Sequence, residues 1–92
     1  MSITLSEIDS ILVREDIEGL IEAGAPADEY ADEAAQLAAS IEQLTDAEAN
    51  IDGVLVLVSA IWLKSFELSK EDMELRLPAL RRVAQEIFDH FS

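Results

Sequence analysis

The run from Ile51 to Phe66, IDGVLVLVSAIWLKSF, is the most apolar part of the chain, and it restricts the fold to one in which other segments cover it. Placed on a helix, Ile51, Val54, Leu55, Val58, Ile61, Trp62 and Phe66 form a stripe at the i, i+3, i+4, i+7 spacing of a core-facing surface. Val56, Leu57, Ala60 and Leu63 lie off that stripe. A helix apolar on nearly all sides is central in its fold or lies in a subunit interface. The ten residues between Gly53 and Lys64 fall far short of the ~20 that span a bilayer, which argues against membrane insertion. A buried strand over Val54 to Val58 is the rival reading, because branched apolar residues after a glycine also suit a sheet interior. The start signal favours a helix: Thr45-Asp46-Ala47-Glu48 has the form of a capping box. Gly53 inside that helix costs about 1 kcal/mol relative to alanine and marks a place for a kink.

The flanking segments read as amphipathic covers. Thr4 and Glu7 form a capping box, with Ile3 and Ile8 as a hydrophobic staple, and Leu5, Ile8, Ile11 and Leu12 give the first helix its buried stripe. That helix fades near Asp16 to Gly19. Two glycines and Pro26 then predict a loop in which Leu20 and Ile21 tuck under the bundle. Pro26 suits the first turn of a second helix running to about Gln43, with Tyr30, Ala34, Leu37, Ala38, Ile41 and Leu44 along one face. Ser69 and Asp72 repeat the capping signature beside a Leu68–Met73 staple. Pro78 breaks a helix from within, so Ser69 to Arg76 is expected to be a short helix or turn, with the last helix starting at Pro78. Leu80, Val83, Ala84, Ile87, Phe88 and Phe91 sit at core spacing on that last helix. The expected architecture is one all-α domain over residues 1–92: four helices, or four plus one short helix, arrayed around the central apolar helix.

With half its residues apolar, a chain of 92 residues can build a core without metal or disulfide staples. The absence of cysteine removes thiolate and disulfide chemistry, and with no basic, apolar leader visible at the N-terminus the expected setting is a reducing cytoplasm. The net charge of −14 argues against direct contact with nucleic-acid phosphates. Up to residue 63 the only basic residue is Arg14; Lys64, Lys70, Arg76, Arg81 and Arg82 all follow it. Charge is thus polarised along the chain, which serves solubility and can steer a basic partner.

The densest acidic group is APADEYADEA, where Asp28, Glu29, Asp32 and Glu33 crowd around Tyr30. Acids suit a helix start, but Asp28–Asp32 and Glu29–Glu33 are like-charge pairs four apart, which costs stability. With Asp16 and Glu18 nearby in sequence, they form a candidate patch for a basic partner: Asp16, Glu18, Asp28, Glu29, Tyr30, Asp32 and Glu33. Glu29, Asp32 and Glu33 are the alternative metal ligands. Glu29-x-x-Asp32 is similar to the carboxylate pairs with which all-helical nucleotide pyrophosphatases hold Mg²⁺, and Glu71-x-x-Glu74 is a candidate second pair. His90, the sole histidine, lies on a polar face. Neither a Ser–His–acid set nor a glycine-rich phosphate loop is visible, and no cofactor is implied.

Three stretches resemble the YugE-like family, small bacterial proteins that form a domain of unknown function. Asp16-Ile17-Glu18-Gly19-Leu20 resembles the family's Asp-Pro-x-Gly-apolar segment, and Ala25-Pro26-Ala27-Asp28-Glu29-Tyr30 its Pro-x-acid-Glu-Tyr approach to the second helix. Phe66-Glu67 and Leu77-Pro78 to Ile87 resemble its closing segments. Ile17 stands where the family has proline, and Glu15 where tryptophan is usual. The resemblance implies a small all-helical domain and no activity.

Two functions follow from the residues. One is a non-catalytic protein-binding module that docks a basic partner, an immunity-type inhibitor being one concrete form. The other is a metal-dependent nucleotide or phosphoester hydrolase using carboxylates at the start of the second helix. The off-stripe residues of the central helix also predict a homodimer.

Overall fold

A computed structural model describes residues 3–26 and 28–90. Four helices follow in order: α1 (Leu5–Glu15), α2 (Ala31–Glu42), α3 (Ile51–Ser65) and α4 (Lys70–Asp89), and the described residues contain no strand. Each helix packs against two others, α1 on α2, α2 on α3, α3 on α4 and α4 back on α1, so the four close a ring around a shared core. The apolar α3 makes the most extensive of these interfaces, with α4, and the next, with α2. Among the described residues no helix is long and apolar enough to cross a membrane.

The core takes Ile8, Ile11 and Leu12 from α1, Tyr30, Ala34 and Leu37 from the second segment, Val54, Val58 and Trp62 from α3, and Leu80, Val83, Ala84 and Ile87 from α4. These are the 3.6-residue stripes of the sequence, each facing inward. Ile17, Leu20 and Ile21 pack on the core from the loop, as expected of the segment under the bundle. Leu57 is partly buried, whereas Val56, Ala60 and Leu63 remain exposed. Phe91 lies outside the described residues.

Local chemistry explains the helix starts. Thr4 caps α1 and Ser69 caps α4, each in a reciprocal box with the residue three positions on, Glu7 or Asp72. At α3 the cap is Asn50 rather than Thr45, a correction to the expected start. The Glu48 carboxylate does reach back to the Thr45 N–H and hydroxyl. The hydroxyl donates to that carboxylate instead of accepting from the backbone, and the segment forms a turn. Asn50 then accepts from Gly53 N–H at 2.8 Å and donates to the Ala47 carbonyl at 3.0 Å. Gly53 has a steric reason: a Cβ there would overlap the Glu48 carbonyl.

Two further expectations are revised. Pro26 does not open α2; turns occupy the segment up to Tyr30, because the buried Tyr30 ring is fixed against the core before the helix begins at Ala31. Pro78 does not break the last helix, which runs unbroken from Lys70 to Asp89. Pro78 removes the hydrogen bond to Glu74, but both residues are exposed, so the freed carbonyl is on the solvent side. The Ser69 cap upstream and the buried Leu80, Val83, Ala84 and Ile87 downstream hold the two halves in one helix.

Candidate functional site

The seven residues of the acidic patch separate into an internal group and a surface group. Asp16 ends α1 in the left-handed conformation, φ 43°, and its carboxylate folds back over the loop that follows. Oδ1 accepts from Ile21 N–H at 3.1 Å and Oδ2 from Glu22 N–H at 3.0 Å. The Tyr30 hydroxyl donates to Asp16 Oδ1 at 2.7 Å and accepts from Glu18 N–H at 3.2 Å. The hydrogen bond from Tyr30 holds the Asp16 carboxyl below its ordinary range. Burial, reinforced by Asp16, pushes the phenol well above its own.

Glu18 continues this network into the core. Its Oε2 accepts from Trp62 Nε1 at 2.9 Å and Arg76 Nε at 2.6 Å, and its Oε1 accepts from an Arg76 terminal nitrogen at 2.9 Å. The two-point pairing raises the Arg76 pKa. Above it Tyr30 stacks on Trp62 with ring centroids 5.7 Å apart, and Trp62 meets Phe66 at 5.0 Å. Asp16, Glu18 and Tyr30 are therefore occupied in pinning the loop to α3 and α4. Their carboxylates and hydroxyl do not form a free docking surface.

Glu33 is buried as well, at 8% exposure, and burial followed by the charges of Asp32 and Glu29 raises its pKa. Asp28, Glu29 and Asp32 are exposed, and among the described residues their side chains have no cationic partner. They are the surface remainder of the patch. Among the described residues no group of three or more histidine, cysteine or acidic side chains is arranged to hold a metal ion, so Glu29, Asp32 and Glu33 do not converge as ligands.

The cations that follow residue 63 are partly spent inside the molecule. Arg76 meets Glu18, Arg82 meets Glu15, and in the reverse sense Arg14 meets Glu86. His90 lies with Nδ1 2.8 Å from Glu7 Oε2, tying the end of α4 to the start of α1. It is engaged in this surface pair.

Comparison with protein families, curated proteins and solved structures finds no match. Function must therefore be argued from the side chains.

One site was missed in the sequence. A groove of about 440 Å³ lies between the starts of α1 and α2, lined by Leu5, Ser6, Asp9, Ala31 and Ala34. Asp9 Oδ1 is shielded from solvent and has no hydrogen-bond partner among the described residues. The available signal was an acid four residues after Leu5, at the edge of the apolar stripe of α1, opposite a helix whose facing residues are alanines.

Proposed function

We propose that the chain is a non-catalytic protein-binding module whose exposed acids at the head of α2, Asp28, Glu29 and Asp32, dock a basic surface on another protein. The observation that carries this is that, among the described residues, these three carboxylates have no cationic partner, while Glu15, Glu18 and Glu86 pair with the chain's own arginines. Like charges left together on a surface destabilise the free protein slightly and are relieved by an opposite field. An immunity-type inhibitor covering a basic cleft in the bacterial cytoplasm is the concrete form of this reading, and the resemblance to the YugE-like family is compatible with it. Metal-dependent hydrolysis has no specific observation in its favour.

The test is retention of a partner from the native cell at low and high salt. The parent chain should hold a partner at low salt that high salt releases, and the Asp28→Asn, Glu29→Gln, Asp32→Asn triple variant should not. If nothing is retained even at low salt, the reading is wrong.

A second copy of the chain is the partner proposed for a different face. Val56, Ala60 and Leu63 form an exposed apolar row along α3, and residues 54–63 carry no charge, so two copies would meet where their mutual repulsion is least.

A further inference from the structure

We propose that the groove between the starts of α1 and α2 is the anchor pocket of the basic partner, receiving a lysine side chain together with an aliphatic neighbour. This rests on the docking function above and names the site through which that function acts. Asp9 is in the lining, and its Oδ1 is shielded from solvent with no hydrogen-bond partner among the described residues; the charge of such a carboxylate costs free energy in the isolated chain and is relieved by a cation beside it. Ser6 adds a hydroxyl to the lining, so an ammonium group has two kinds of acceptor. The rest of the lining is Leu5, Ala31 and Ala34, suited to methylene groups rather than to a hydrated ion. At about 440 Å³ the groove lies within the range of ligand sites and has room for more than one side chain.

The rim completes the recognition. Ala31, in the lining, is flanked in sequence by Asp28, Glu29 and Asp32, the exposed acids with no cationic partner among the described residues. A basic segment drawn in by those charges arrives at the groove. Its long-range attraction comes from the rim, and its anchoring comes from Asp9 and the apolar wall. Leu5, 51% exposed although it belongs to the apolar stripe of α1, is part of that wall.

The test uses the full chain and two labelled peptides of equal charge, Ac-LKKLKK-amide and Ac-SKKSKK-amide, followed by fluorescence anisotropy at low salt. The leucine peptide should bind at least fivefold tighter. Asp9→Asn should weaken it about tenfold, the effect of losing one hydrogen bond to a charged group. The same variant should change the serine peptide less than twofold and should melt no lower than the parent. Ala31→Leu, at an exposed position, fills the groove and should abolish the preference for leucine while leaving Asp9 in place. Equal binding of the two peptides overturns the pocket and leaves the acidic rim as the docking surface. A parallel loss of both peptides in Asp9→Asn, with a lowered melting temperature, also overturns it, by making Asp9 structural. Failure of both peptides to bind the parent chain overturns the pocket and the docking function together.

Discussion

Glu18 and Arg76, separated by 58 positions in the chain, meet in a two-point ion pair with nitrogen–oxygen distances of 2.6 and 2.9 Å. The Glu18 side chain is 10% exposed and that of Arg76 26%. Removing one member of such a pair leaves the other poorly solvated. Glu18→Ala is expected to destabilise by about 2–3 kcal/mol, below the full value for a buried pair because Arg76 retains some water. Urea unfolding followed by fluorescence of Trp62, the only tryptophan, measures this. Because Trp62 Nε1 also donates to Glu18, the folded baseline should change as well. A loss under about 0.5 kcal/mol would place the pair among exposed ion pairs of little energetic weight.

Tyr30 supports the same loop through its hydroxyl. Tyr30→Phe keeps the stacked ring but leaves Asp16 Oδ1 with one donor fewer and Glu18 N–H without its acceptor. A loss of about 1–2 kcal/mol is expected in thermal or urea melts. The raised phenol pKa has a definite sign. Folding stabilises the protonated form, so this contribution is complete below the ordinary value of 10.0 and is lost as pH rises through the higher folded value. Absorbance titration of the single tyrosine should therefore show ionisation displaced upward and linked to alkaline unfolding. Ionisation near the ordinary value in the folded protein would contradict the buried hydrogen bond.

Glu33 has the same sign at the acidic end. Its folded pKa lies above the unfolded 4.5, so protonation favours the fold and the contribution is lost as pH rises through the folded value. Glu33→Gln should raise the melting temperature at neutral pH, with the gain shrinking as pH falls from the folded value towards 4.5, by which point the parent carboxyl is protonated. Glu7, Asp16, Glu48 and Asp72 oppose this trend. Their folded values are depressed, so their contributions exist above the unfolded values and disappear on acidification. Melting the parent and the Glu33→Gln variant side by side across the acidic range separates the two signs.

Gly53→Ala sets helix propensity against packing. Alanine gains about 1 kcal/mol inside a helix. Here its Cβ would overlap the Glu48 carbonyl, a backbone atom, and displacement of a packed neighbour typically costs about 1–3 kcal/mol. A net loss is expected in denaturant melts. A gain in stability would mean that the turn before α3 gives way freely.

The parts of the fold that were legible in sequence are those set by neighbours a few residues apart. Thr4 with Glu7 and Ser69 with Asp72 started helices as read, and the apolar stripes of all four helices became the core. Asn50 does not stand out in the sequence because Thr45 and Glu48 carry the same capping chemistry five residues earlier. Pro78 reads in sequence as the breaker of an isolated helix, whereas in the fold packing on both sides outweighs one lost hydrogen bond. The candidate site was harder to read for a related reason. Asp16, Glu18 and Tyr30 resemble surface acids around an aromatic ring until Trp62 and Arg76 arrive, 44 and 58 positions away from Glu18. Contacts of that range leave no local periodicity. What remained of the patch, Asp28, Glu29 and Asp32, was recognisable from charge alone.

Assembly is the remaining prediction. Val56 is 66% exposed and Leu63 46%, seven positions apart and therefore on one side of α3, with the exposed Ala60 between them. Burying Val56 and Leu63 can contribute about 1.5–3 kcal/mol each, while screening over ~8 Å at physiological salt limits repulsion between acidic copies to nearby charges. Along α3 itself, residues 54–63 carry none. Light scattering should report about twice 10.1 kDa at physiological salt, with dissociation favoured at low salt. Val56→Lys and Leu63→Lys lie on the exposed side and should leave the monomer folded while returning the mass to that of one chain. A parent chain that stays at 10.1 kDa in both salt conditions would rule the dimer out and leave the α3 row as plain exposed surface.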